Sequence, residues 1–186
     1  MASEVGICNA ALQKLGAKRI ASLTENSPNA RSCAAAYARI RDAELTKHAW
    51  SFAIKREVLA PLATTPAFGY AYQFLWPTAC LRILPPNRAG LDWKVEGRTI
   101  LTNEGDTLEL PYIQRVIDPN DMTALFQDVL ACALAAEMCE EITQSNQKKI
   151  DATGKYREVI REARRVNAFQ EISAEPPEDT WVLARR

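Results

Sequence analysis

Apolar residues recur at helical spacing through the first fifty positions. Val5, Cys8, Leu12 and Leu15 follow one another at intervals of three and four, with Ser3 where an N-cap belongs and Gly16 where a helix should stop. This spacing predicts a short amphipathic helix. Ser27-Pro28 predicts the start of a second helix, because a Ser cap satisfies one orphan N–H and Pro at the first helical position removes another. It should run from Pro28 to about His48, with Cys33, Tyr37 and Ile40 facing inward and Ala34-Ala35-Ala36 leaving room for a neighbouring helix.

The texture changes between Ser51 and Ile117, which hold six of the ten prolines and so exclude long helices. Tyr70 to Trp76, Leu81 to Leu84, Trp93 to Val95, Thr99 to Leu101 and Thr107 to Ile117 are rich in aromatic and branched residues, with turn chemistry at Glu96-Gly97 and Asn103 to Asp106. They predict an antiparallel meander of about four or five strands. Asp118-Pro119 repeats the cap-and-proline signal, and Met122, Phe126, Val129, Ala133 and Ala136 predict a broad-faced central helix reaching about Thr143. After Gln144-Ser145-Asn146, a fourth helix carries Tyr156, Val159, Ile160, Ala163 and Val166 on one stripe. The expected fold is therefore α+β and mainly α. It is an antiparallel bundle of about four helices built from residues 1–50 and 118–170, with a small antiparallel β-meander inserted at 51–117 and an extended C-terminal arm at 171–186.

Composition narrows the class. With 186 residues, 47% hydrophobic and 25% charged, the chain can bury its own core without a staple. The uncharged run from Val58 to Leu81 is long enough to cross a bilayer by count. Pro61, Pro66, Pro77 and Gly69 would leave its backbone groups unsatisfied in lipid, so no membrane span is expected. Five cysteines without paired short spacing, and a start at Met1-Ala2-Ser3-Glu4 that lacks a secretory pattern, predict reduced thiols in cytosol.

Charge is balanced at 23 Lys plus Arg against 23 Asp plus Glu, which removes the whole-molecule electrostatic case for a nucleic-acid binder. The balance hides a segregation. Residues 118–147 hold six acids and no base, whereas residues 148–170 hold seven bases and three acids. Three readings stay open: pairing of the two helices within a subunit, a head-to-tail contact between subunits, and nucleic acid on the basic face.

Candidate chemistry is sparse. His48, the single imidazole, has no adjacent carboxylate or nucleophile and suits a helix C-terminus. Cys132 and Cys139 lie two turns apart, too far for one metal ion, and all five cysteines suit a small-residue core. Asp118, Asp121 and Asp128 resemble a spaced Mg²⁺ set, but a cap with first-turn acids explains them more simply. GxxxxGK[ST], GxGxxG, HExxH and GxSxG are all absent, so no enzyme and no cofactor is expected. The tail carries Trp181, Leu183, Arg185 and Arg186, and Trp and Arg are residue types that dominate binding hot spots.

The order of segments carries a resemblance. Glu4 to Gly16 is followed by Ile20-Ala21-Ser22-Leu23-Thr24-Glu25, then Leu45-Thr46-Lys47-His48-Ala49-Trp50-Ser51-Phe52-Ala53. Tyr72-Gln73, Cys80-Leu81-Arg82-Ile83, Val95 to Thr102 and Trp181-Val182-Leu183-Ala184-Arg185 come after. Together they resemble the tail tubular protein A family, the head-to-tail adaptors of short-tailed bacteriophages and related prophages. The resemblance implies a virion structural protein made in the bacterial host cytoplasm. It would form a ring of about twelve subunits that joins the portal protein to the tail nozzle protein, with DNA passing through the lumen unread. It implies no catalytic residues. By position it makes the segment around Trp181 and Arg185 an arm that engages the portal or a neighbouring subunit. The expected interface set is Trp181, Leu183, Arg185 and Arg186 on the arm with Arg157, Arg161, Arg164 and Arg165 on the basic helix. The alternative is a DNA-binding packaging accessory using Lys148, Lys149, Lys155 and the same four arginines.

Overall fold

Helix α1 (Glu4–Leu15) begins where the Ser3 side chain accepts from the Gly6 N–H at 3.0 Å and ends on Gly16, whose N–H returns to the Gln13 carbonyl. Its inner face buries Ile7, Cys8, Ala11, Leu12 and Leu15. The Asn9 side chain then imitates a strand partner, accepting from the Ile20 N–H at 2.8 Å and donating to the Ile20 carbonyl at 2.9 Å. This pins the loop leading to α2 (Pro28–Lys47), capped by Ser27. The computed structural model describes residues 2–88, 90–105 and 107–170.

Helix α3 (Ala124–Thr143) sits at the centre. Val129 to Ala135 are buried without a break, so the helix is apolar on every side, and it packs against α1, α2 and α4 (Asn146–Ala168). Ala and Cys along it keep the neighbouring axes close. Asp118-Pro119 does not open this helix. Asp118 caps only a single 3-10 turn over Pro119–Asp121, the chain extends again at the buried Met122, and Thr123 caps α3 by accepting from the Phe126 N–H at 3.3 Å. Burial of the Met122 side chain separates the two capped segments.

The β region overturns the expected fold of a mainly helical bundle carrying one meander. Six strands form two separate three-stranded antiparallel sheets, and the chain is an α+β protein. One sheet orders β1 (Ile54–Leu59), β6 (Leu108–Gln114) and β3 (Cys80–Ile83), and the other orders β2 (Tyr72–Leu75), β5 (Thr99–Thr102) and β4 (Trp93–Glu96). Among these strands only β4 and β5 are chain neighbours that pair, through the tight turn Gly97-Arg98 with Gly97 at φ +58. The physical reason lies in β6. Leu108, Leu110 and Tyr112 alternate onto one face and need a cover, which Phe74 and Ile100 of the second sheet supply. A single open sheet would leave that face wet. Strand β1 also went unpredicted, because Lys55, Arg56 and Glu57 break its alternation, as suits a charged sheet edge.

Ile113 points the other way from Tyr112 and joins the helical core with Trp50, Ala53 and Val116. The ends of the β region are thereby sewn to the helices, with β1 and β6 in register from Ile54↔Ile113 to Leu59↔Leu108. Trp50 and Phe52 both lie 5.1 Å from Phe126, and Arg115 Nε donates to Asp42 at 2.9 Å. At the far end of the sheets Gly105 lies under the Tyr72 ring, where an added Cβ would fall 2.3 Å from a ring carbon.

Buried Tyr112 donates to Glu57 Oε2 at 3.0 Å. Burial, helped by this bond, raises its pKa from 10.0 to about 12. A folded pKa above the unfolded one means that the contribution is complete below about pH 10 and is lost as pH rises through about 12. Burial also raises Tyr37 and Tyr156, with the same sign. Urea unfolding should therefore show stability falling between pH 10 and 12. Tyr112→Phe should cost about 1–2 kcal/mol at neutral pH and make that alkaline fall shallower. An equally steep fall in the variant would contradict this.

Candidate functional site

Helix α4 is where sequence and structure concentrate unpaired charge. Ser145 caps it by accepting from the Lys148 N–H, and Val159, Ile160, Ala163 and Asn167 form its buried stripe. The opposite face follows from that spacing: Ile150, Arg157, Arg161 and Arg165 are exposed along one line, with Arg164 on its flank. The helix is held in place by polar bonds at two levels. Tyr156 donates its hydroxyl to both oxygens of Glu44 on α2, at 3.0 and 2.9 Å. Asn167 accepts from the Ser51 N–H at 2.9 Å and donates to the Ala49 carbonyl at 3.1 Å.

Glu44 is a carboxylate only 2% exposed. Besides Tyr156 it accepts from Lys47 Nζ at 2.6 Å, while its backbone carbonyl accepts from Trp50 Nε1 at 3.0 Å. Partial burial opposes the Lys47 charge, and the bonds to Glu44 and Tyr156 outweigh it, so the Lys47 pKa is raised. Neither Glu44 nor Asn167 was singled out in the sequence. Both carried a signal: Cys33, Tyr37, Ile40 and Glu44 keep one helical stripe, as do Tyr156, Ile160, Ala163 and Asn167. A polar residue that continues an apolar stripe needs a buried partner.

The acids of α3 are occupied within the subunit, and mostly not by α4. Asp128 pairs with Lys14 of α1 at 2.9 Å, Glu137 with Arg39 of α2, and Glu141 accepts from Ser32 of α2 at 2.7 Å. Only Glu140 reaches α4, through Lys149. Lys155 pairs with Glu158 on its own helix at 2.9 Å, and Lys148 donates to the Leu15 carbonyl at 3.4 Å. Among the described residues no carboxylate lies within ion-pair distance of Arg157, Arg161, Arg164 or Arg165. The Arg164 Nε is closed off from solvent with no hydrogen-bond partner. The structure thus brings these four arginines together as a ridge. Trp181, Leu183, Arg185 and Arg186 lie outside the described residues.

Beside α4, a cleft of about 610 Å³ opens between the end of α1 and helices α3 and α4. Lys14, Lys148 and Lys155 line it, with Cys132 among its walls and Asp151 as an acid. Burial, then Asp128, raises the Cys132 pKa, so this sulfur is held as a thiol. All five cysteines are buried and free. Among the described residues no group of three or more His, Cys, Asp or Glu side chains could hold a metal ion. Asp118 is occupied by the Asn120 backbone and side-chain N–H groups at 2.9 and 2.8 Å, which lower its pKa. His48 stacks edge-on against Trp50, 4.8 Å between centroids, with Asn167 Nδ2 at 3.3 Å from Nε2, so it is part of the joint between α4 and the sheets. No helix is long and apolar enough to cross a membrane among the described residues. Compared with known protein families and with curated proteins, the chain matches none.

Removing the buried carboxylate and removing ridge charge should act very differently. Glu44→Ala strands the Tyr156 hydroxyl and Lys47 and should cost about 2–4 kcal/mol, with Tyr156→Phe costing about 1 kcal/mol and little further effect when the two are combined. Replacing Arg157, Arg161 and Arg165 together by Ser should move stability by less than about 0.5 kcal/mol per site. Urea unfolding of the five proteins compares them directly, and a large loss in the arginine variant would make the ridge structural.

Proposed function

We propose that the chain is a structural adaptor of a short-tailed phage. It assembles as a ring, with twelve subunits, that joins the portal to the tail nozzle and lets DNA pass. In this reading it acts in the virion, with no catalysis, no cofactor and no membrane. Two things support it. The order of motifs along the chain resembles the tail tubular protein A family, and the four-arginine ridge on α4 is left over after the acids of α3 have found partners elsewhere in the subunit. The ridge is the observation that carries the proposal. A charged row with no described carboxylate within ion-pair distance, with the exposed side chains of Ile150 and Phe169 near its ends, suits a protein interface with complementary acids.

A second reading, a DNA-binding packaging accessory, draws on the same ridge together with Lys148, Lys149 and Lys155. Arginines along one helix face also suit phosphates, and such binding weakens steeply with salt.

Purified portal rings discriminate the two. The adaptor should sediment with the rings, and Arg157→Glu, Arg161→Glu and Arg165→Glu combined should weaken attachment by at least about tenfold while leaving thermal unfolding nearly unchanged. A chain that never attaches to portal rings, yet binds duplex DNA with a steep salt dependence, establishes the second reading instead.

A further inference from the structure

The cleft between the end of α1 and helices α3 and α4 takes no part in the adaptor reading. Its volume of about 610 Å³ lies within the range of roughly 300–1,000 Å³ that small-molecule sites occupy. Leu15, Ala135 and Ala152 give it an apolar wall. The space exists because the side chains around it are small. Ala135 and Ala152 line it from α3 and α4, and α1 ends at the mouth on Gly16, where an added Cβ would meet nothing within 4 Å.

Three ammonium groups edge this wall, Lys14 from α1 with Lys148 and Lys155 from α4, against the single carboxylate of Asp151. Lys14 pairs with Asp128 at 2.9 Å and Lys155 with Glu158 at 2.9 Å, both acids standing outside the lining. Partial burial opposes the Lys14 charge, and the bond to Asp128 outweighs it; the bond to Glu158 raises the Lys155 pKa. Asp151 is engaged within its own helix, where Oδ1 accepts from Gln147 Nε2 at 3.0 Å. Lys148 differs from the other two lysines. Its hydrogen bond goes to a neutral group, the Leu15 carbonyl, at 3.4 Å, and no described carboxylate lies within ion-pair distance of it. The cleft thus sets an ammonium without an acid beside an apolar wall.

We infer that this cleft binds a small amphipathic anion, a flat apolar body bearing one phosphate or carboxylate head, with the head on Lys148 and the body against Leu15, Ala135 and Ala152. A bare anion would gain little, since exposed ion pairs are weak and screened by salt. A neutral apolar molecule would cover the wall and leave Lys148 without a counter-charge. A ligand carrying both parts uses both features of the site. Lys14 and Lys155 keep their own acids, so the direct partner of the head is Lys148. The bound molecule touches α1, α3 and α4 together, and a ligand held only by the folded chain stabilises it. Neither the ring nor the arginine ridge enters this assignment, so it stands or fails apart from the adaptor reading.

Naphthyl phosphate and naphthoate are suitable probes, with naphthol as the body without the head and inorganic phosphate as the head without the body. In calorimetric titration of the full chain, at least one of the two acids should bind about tenfold more tightly than naphthol or inorganic phosphate, and the tighter acid names the head. Lys148→Ala, at an exposed position, should weaken that binding about tenfold while leaving thermal unfolding of the free protein nearly unchanged. Ala152→Trp fills the cleft and should abolish binding, whereas Lys94→Ala on β4 should leave it as it was. A saturating concentration of the tighter acid should raise Tm, and by less in Lys148→Ala. Failure of both acids to bind overturns the inference. So does inorganic phosphate or naphthol binding as tightly as the acids, or an affinity that survives Lys148→Ala.

Discussion

Burial of α3 on all sides is the constraint that organises the molecule. A helix whose residues Val129 to Ala135 are all shielded from water cannot lie on a surface, and must be enclosed by α1, α2, α4 and the aromatic group around Trp50. Each surrounding helix brings one apolar stripe, so none is stable alone. The same centre receives Ile113 and Val116 from the β region, which makes the helices and the first sheet one packed unit.

Apolar burial alone does not set the angles and registers of these pieces. That specificity comes from a few polar side chains sunk into the contacts. Glu44 joins α2 to α4 through Tyr156, Asn167 ties the end of α4 to the turn before β1, and Asn9 binds the loop between the first two helices. Each has its partners in direct hydrogen-bond range, and a slip of one residue along any helix would leave a buried donor or acceptor unpaired. The joint around His48, Trp50 and Asn167 lies between the helices and the sheets, and fixes how the second half of the chain leaves the first.

Electrostatics divides the molecule in another way. The acids of α3 are used locally, one helix at a time, so the basic excess of α4 is not cancelled by its neighbour. What remains is a row of Arg157, Arg161 and Arg165 pointing away from the core, with the half-buried Arg164 on its flank, on a helix held at two levels by Glu44 and Asn167. A rigid charged row can meet a partner at little entropic cost. That is the physical basis on which α4 is proposed as the interacting element of the chain.

By itself, the amino-acid sequence determined the pieces that depend on near neighbours. Helix spacing, the Ser3 and Ser27 caps, the proline-rich break into strands, the absence of any recognisable catalytic motif and the segregation of charge between residues 118–147 and 148–170 are all local quantities. The edge strand β1 was hidden because Lys55, Arg56 and Glu57 interrupt its apolar alternation, and the Asp118 cap misled because a capped turn looks the same in sequence whether it lasts one turn or five. The pairing of β6 with β1 and β3, the stacking of two sheets in place of one meander, and the choice of partners for the α3 acids were decided only by tertiary structure. The reason is common to all three: each joins residues far apart in the chain, and which distant group arrives opposite a given side chain is settled by the packing of the whole core, on which local spacing carries no information.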